Sequence, residues 1–241
     1  MTQSVAGRSL ARRIFATAQR PARGQILVAS FPKSGSTWLR QVTFAILHGG
    51  LPDDMETFDK LAPEIGKNLN IWRAKIVKTH WAHTPAFDRA KRLFIVRHPE
   101  AVFRSYYDYQ KQVVGREFNG FDDFFRSRWG LPEYAYNLEC WRKDTGKHLV
   151  DYDDLLNDFD GSVNRIAAYI GVTLDAETLD KIRAATSRSS MQKRFDANGF
   201  KYDFANTGQS QRYVLSEKDK AMIEADAVPV FDRILAEAGP Q

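Results

Sequence analysis

The chain has 241 residues, 43% of them hydrophobic, which is enough to fill the core of one α/β domain and unlike a disordered or collagenous chain. Its single cysteine, Cys140, excludes an internal disulfide framework and a cysteine-rich metal site, and no run of about 18 apolar residues could cross a membrane as a helix. The net charge of +5 suits an anionic ligand without by itself indicating nucleic acid.

Residues 1–24 carry Arg8, Arg12, Arg13, Arg20 and Arg23 and no acid. They predict a basic N-terminal arm ahead of a domain over 25–241, with a transit peptide as the alternative reading, and the lack of an apolar signal region makes a cytoplasmic location the expectation. The run 26–30 is short, apolar and β-branched, so it predicts a buried strand. Helical spacing follows over 37–47, stopped by Gly49-Gly50. Further strands are expected over 75–78, 92–97 and 147–151, with a helix opened by Pro99 after the third. Aromatic helical segments occupy 120–140. Later helices are expected over 160–170, 175–185 and 216–234, with a long polar loop over 188–214. Strands alternating with helices imply an α/β fold: a single domain with a mainly parallel central sheet flanked by helices.

Between the first strand and helix stand Phe31-Pro32-Lys33-Ser34-Gly35-Ser36-Thr37-Trp38. There, backbone N–H groups and the positive helix end converge, Gly35 permits close approach, and Lys33, Ser34, Ser36 and Thr37 add donors. This is a recipe for binding phosphate or sulfate, although the lysine precedes the glycine, unlike the usual triphosphatase loop. Ordinary serine capping of a helix is the plainer alternative. Arg97 ends another strand, and Ser105 follows two helical turns on, so the two could bracket a second phosphate. Lys78-Thr79-His80 ends a third strand, where His80 could act as a general base, with His83 as its competitor. His48, His98 and His148 have no such setting and are expected to be structural. Phe58, Trp72 and Trp81 could pack an acceptor or belong to the core.

Together these motifs, in order from residue 26 to about 191, resemble the sulfotransferases that use 3′-phosphoadenosine 5′-phosphosulfate (PAPS). Besides the loop, the strand-ending Arg97 with Ser105 before Tyr106-Tyr107, the Lys78-Thr79-His80 step, Tyr152-Asp153-Asp154-Leu155, and Thr186-Ser187 with Met191 all match family signatures. The resemblance implies a P-loop NTPase-like fold and sulfuryl transfer from PAPS to a hydroxyl or amine of a small molecule or glycan. No metal, nucleic acid or membrane span would be required, and the protein would be a monomer or homodimer. It implies that Lys33, Ser34, Gly35, Ser36 and Thr37 hold the 5′-phosphosulfate and that Trp38 stacks on adenine. Arg97 and Ser105 would hold the 3′-phosphate, and Tyr152, Thr186 and Met191 would line the adenine pocket. His80 would be the base, and Lys78 would position the acceptor or the transferred group.

The C-terminal signature departs from the pattern. Gly208 and Tyr213 align, but two basic residues are missing, so Arg212, or else Lys193 or Arg194, is expected to complete the 3′-phosphate clasp. Arg188 stands where the family often has phenylalanine. The competing readings are a magnesium–ATP-dependent small-molecule kinase with a variant loop and a non-catalytic nucleotide-binding relative.

Overall fold

Strands β1 (Ile26–Ser30), β2 (Ile76–Thr79), β3 (Lys91–Val96) and β4 (Lys147–Asp151) form within a residue or so of where the apolar runs predict them. The computed structural model describes residues 19–67, 71–197, 199 and 212–237. It joins the strands into one sheet of order β2-β1-β3-β4, with every pairing parallel. Alternating side chains divide the core. Leu27, Ala29, Val77, Phe94 and Val96 face one helical layer, while Ile26, Val28, Ile76, Leu93 and Ile95 face the other. Burial on both faces is why each strand reads as a continuous apolar run.

Parallel strands need crossovers. From β1 the chain passes through α1 (Ser36–His48) and α2 (Met55–Leu61) to β2, then crosses to β3 on the other side of β1. The strand order therefore reverses at β1, and the crevice between the carboxyl ends of β1 and β3 is where open α/β sheets hold ligands. From β3, α3 (Pro99–Gln112), α4 (Phe121–Arg126) and α5 (Leu131–Arg142) lead to β4. Phe103 and Tyr106 of α3 pack on Phe31, which clamps the loop after β1 from behind. Near the amino end of the sheet, Arg92 of β3 donates from Nε and Nη2 to the Asp144 carboxylate at 2.6 and 2.8 Å, and both side chains are buried.

Beyond β4 lie α6 (Tyr152–Asn157), α7 (Phe159–Ile170), α8 (Ala176–Ala185), α9 (Arg188–Ala197), α10 (Glu217–Asp226) and α11 (Val228–Ala236). Two expectations are corrected here. The segment read as loop from residue 188 begins with α9. Only Met191 and Phe195 carry its apolar stripe, too short a repeat to stand out from the polar background. The single helix expected over 216–234 is two, because Pro229 lacks an N–H and cannot extend the α10 ladder. Most of the remaining loop, including Gly208, lies outside the described residues, as does most of the basic arm.

Candidate active site

The carboxyl ends of all four strands open into one cleft of about 640 Å³. After β1 the chain turns through Lys33, a non-glycine residue at φ 70, and Gly35 at φ 105. A Cβ on Gly35 would lie 2.6 Å from Cδ2 of the Tyr152 ring, so only glycine fits this turn. Gly35 caps α1 with no side-chain hydrogen bond to the helix. Ordinary serine capping is therefore not what the loop does: the first-turn N–H groups of α1 have no capping side chain, and Gly35, Ser36 and Thr37 line the cleft. Lys33 lines it too, with Nζ 5.0 Å from the Tyr109 ring centroid. Burial, then the charges of Arg212, Lys78 and Arg97, push Lys33 down to about 7. Ser34 is buried in the turn and does not reach the cleft.

The end of β3 supplies Arg97. Its guanidinium lies over the Tyr152 ring at 4.1 Å, and Tyr152, from the end of β4, meets Trp38 edge-on at 5.4 Å. Arg97 Nε and Trp38 Nε1 are buried with no hydrogen-bond partner among the described residues. Ser105, Thr186, Met191 and Arg212 line the same cleft, and so does Arg104, which the sequence reading did not single out. The Thr186 hydroxyl donates to Ile182 O at 2.8 Å, so this threonine offers the cleft its methyl group more than its hydroxyl. Burial is the chief cause that lowers Arg97; the charges of Tyr152 and Asp153 oppose it, and those of Arg104 and Arg212 add to it.

The end of β2 supplies Lys78 and His80. His80 Nδ1 lies 3.0 Å from the carbonyl oxygen of Ser30 and 3.2 Å from its hydroxyl. A carbonyl only accepts, so Nδ1 carries the proton and Nε2 keeps its lone pair. Burial, then the Lys78 charge, pushes His80 down to about 3, which keeps the ring neutral at neutral pH. Lys78 Nζ donates to Glu64 Oε2 at 3.1 Å.

Other candidates lie elsewhere. His83 pairs with Asp88 at 2.9 Å and packs on Trp141, outside the cleft. His83, Asp88 and Asp144 have the proximity of a metal cluster, but Asp144 is engaged by Arg92 in the buried pair. His48, His98 and His148 pack against the rings of Phe44, Phe231 and Tyr169, respectively tilted, edge-on and stacked. Of the three residues offered for the clasp, Arg212 lines the cleft while Lys193 and Arg194 do not. Arg194 instead donates to Gln41 Oε1 and Ala185 O, both at 2.7 Å. Phe58, Trp72 and Trp81 are likewise not lining residues. Glu64, Arg104, Arg183 and Phe159 are; Glu64, Arg183 and Phe159 belong to no motif that would have announced them, and Arg104 stands inside the Arg97–Tyr107 signature without an assigned role.

Comparison with known proteins adds to this geometry. A sulfotransferase domain model matches residues 23–234. Human Sulfotransferase 2B1 is 25% identical over 194 residues, covering 72% of this chain and 53% of its own length. Bovine Sulfotransferase 1A1 is 24% identical over 197 residues, covering 70% and 66% respectively. The matched region thus spans between about half and two-thirds of these relatives. Among solved structures, mouse sulfotransferase SULT7A1 complexed with PAP superposes with a TM-score of 0.63 at 19% identity, over 92% of this chain and 91% of that one. Retinol dehydratase in complex with androsterone and inactive cofactor PAP gives 0.61 at 16% identity, over 97% and 86%. These structural likenesses show a shared fold.

Proposed function

The chain belongs to the sulfotransferase family, and on that premise we propose that it moves the sulfuryl group of PAPS, in line, to a hydroxyl or amine of a small molecule or glycan. The observation that carries this reading is the convergence in one cleft of an uncapped helix N-terminus, Lys33, Arg97 and Arg212 with a neutral histidine. The fold neighbours with bound PAP, the desulfonated nucleotide 3′-phosphoadenosine 5′-phosphate, add support.

The residues present fit such a donor. Arg97 Nε and Trp38 Nε1 are buried polar groups awaiting partners, and the cations outnumber the acids at this end of the cleft. Lys33, Gly35, Ser36 and Thr37 would hold the 5′-phosphosulfate, while Arg97, Ser105 and Arg212 would hold the 3′-phosphate. Trp38, Tyr152, Thr186 and Met191 would surround the adenine. When bound, PAPS supplies an activated sulfuryl group whose leaving partner is a nucleotide phosphate.

His80 Nε2 takes the acceptor proton as the new bond to sulfur forms, and its Nδ1–H stays fixed on Ser30 O. Lys33 and the α1 N–H groups meet the charge growing on the departing phosphate oxygen. Lys78 faces the acceptor side beside His80. A sulfuryl group carries less negative charge than a γ-phosphoryl group, so lysines and amides suffice for a loose transition state. Of the carboxylates that line the cleft, Glu64 and Asp59 are each paired with a cation, Lys78 and Arg40. This pairing supports a site that works without Mg²⁺. The sole cysteine suits a reducing compartment, and we place the reaction in the cytoplasm.

The test is transfer itself. A panel of phenols, alcohols, amines and oligosaccharides is incubated with PAPS in EDTA, and sulfated product is read by mass. Product from at least one acceptor, absent in Lys33→Met, supports the proposal. Phosphorylated product from ATP and Mg²⁺ alone would replace it with a kinase.

A further inference from the structure

Glu64 belongs to no sequence motif, yet its carboxylate stands at the acceptor end of the cleft. The main chain explains why. Lys78 N–H donates to Pro63 O at 2.9 Å and Lys78 O accepts from Ile65 N–H at 2.8 Å, so residues 63–65 lie along β2 as a short parallel bridge. Ala62 and Ile65 anchor the segment in the core. Gly66 turns it at φ 90, where a Cβ would lie 2.9 Å from the Trp81 ring. Glu64 is thereby held directly beside Lys78, itself two residues before His80.

Glu64 Oε2 accepts from Lys78 Nζ and from Lys67 Nζ, each at 3.1 Å. The Glu64 and Lys78 side chains are 17% and 10% exposed, whereas Lys67 at 71% reaches solvent. The groups facing Lys78 from the other elements are cations: Arg40 of α1, Lys67 of the bridge segment and Lys33 of the loop after β1. Arg40 is paired with Asp59 at 2.6 Å. His80, at the end of the same strand, is neutral.

We propose that Glu64 is a positioning residue, whose carboxylate fixes the Lys78 ammonium beside His80 at the acceptor end and keeps it charged. A lysine removed from water among like charges tends to lose its proton. Burial pushes Lys78 down to about 8, and the Glu64 charge is what chiefly opposes a further fall. Burial also works against ionisation of Glu64, but the Lys78 charge, the Lys67 charge and the hydrogen bond from Lys78 bring it down to about 2. Glu64 is therefore an anion over the whole range in which Lys78 titrates. What Lys78 does in turnover rests on the sulfuryl-transfer reading, whereas its charge state can be measured without it.

Lys78 is titrated directly by trace acetylation with acetic anhydride across about pH 6 to 11, read on its peptide by mass spectrometry, in wild type, Glu64→Gln and Glu64→Asp. Loss of the carboxylate charge should lower the Lys78 midpoint by about one unit or more, and the aspartate should restore most of it. Lys67→Met, which removes a neighbouring cation, should raise the midpoint, and Glu64→Ala carries the test of the carboxylate if Glu64→Gln does not fold. In turnover, the alkaline limb should move to lower pH by the same interval. A midpoint moved from about 8 to about 7 leaves roughly fivefold less charged lysine at pH 8. Affinity for PAP should stay within about twofold. In a Lys78→Met background, Glu64→Gln should cost nothing further. An unchanged midpoint in Glu64→Gln, or a defect of equal size in the Lys78→Met background, overturns the proposal. Because the titration needs no transfer, a missing transferase activity would defeat the proposed function and leave this result standing.

Discussion

Lys33 holds an uncommon pair of properties: a left-handed backbone at φ 70 and an ammonium pushed down to about 7 by burial and neighbouring cations. Both make sense if the residue awaits an anion. A bound bisphosphate would raise its pKa, so binding above pH 7 must take up a proton, and affinity must fall as pH rises past about 7. Calorimetry with PAP at about pH 8, in buffers of different ionisation enthalpy, should show uptake in wild type and less of it in Lys33→Met. Equal uptake in both would assign the proton to another group. His80 makes a second prediction at this scale. Its proton is committed to Ser30 O, so Nε2 is the base, and His80→Ala should lose about 10²–10⁴-fold in turnover while PAP binds as before. Near-normal turnover would remove it from the role.

At the scale of elements, the loop after β1 and the buried pair at the other end of β3 carry separate loads. Gly35→Ala forces a left-handed alanine whose Cβ meets Tyr152 at 2.6 Å. A strain of about 1–3 kcal/mol is expected, with loss of PAP binding as the loop rearranges, measured by thermal unfolding and calorimetry on the same sample. Removing Asp144 leaves Arg92 buried without its partner. Asp144→Ala should destabilise by about 3–5 kcal/mol in urea unfolding without affecting nucleotide affinity in the folded fraction. Burial raises the Asp144 pKa, but the hydrogen bonds from Arg92 and Gly146 outweigh it and hold the carboxyl below its ordinary value. The folded state therefore binds fewer protons there than the unfolded state. The pair's contribution is complete above the ordinary carboxylate range and is lost as pH falls through it. A stability profile that stays flat on acidification in wild type but slopes in the variant would contradict this.

For the molecule as a whole, the strand ends explain what was legible. Each apolar run ended within a residue of its strand's end, and a parallel sheet places all such ends on one edge, so Lys33, His80 and Arg97 could be brought together from their positions alone, whereas Tyr152 was legible only through the family resemblance. Glu64 and Arg104 were not legible in that way. Glu64 reaches the cleft through a main-chain bridge to β2 that has no side-chain pattern, and Arg104 is one helical position among several polar ones on α3. The early part of the polar stretch was misread because two apolar residues, Met191 and Phe195, do not make a period, and the break at Ala227 was missed because Pro229 also reads as an ordinary first-turn proline.

The cleft as proposed is a donor site for a 3′-phosphorylated adenine nucleotide that needs no metal. Thermal unfolding with PAP in EDTA, beside ATP with and without Mg²⁺, tests it most directly. Ligand at 100 times its dissociation constant adds about 2.7 kcal/mol, which for a chain of this size raises the midpoint by roughly 5–10 °C. That rise is expected with PAP in EDTA, and little with ATP. A rise confined to ATP with Mg²⁺ would contradict it.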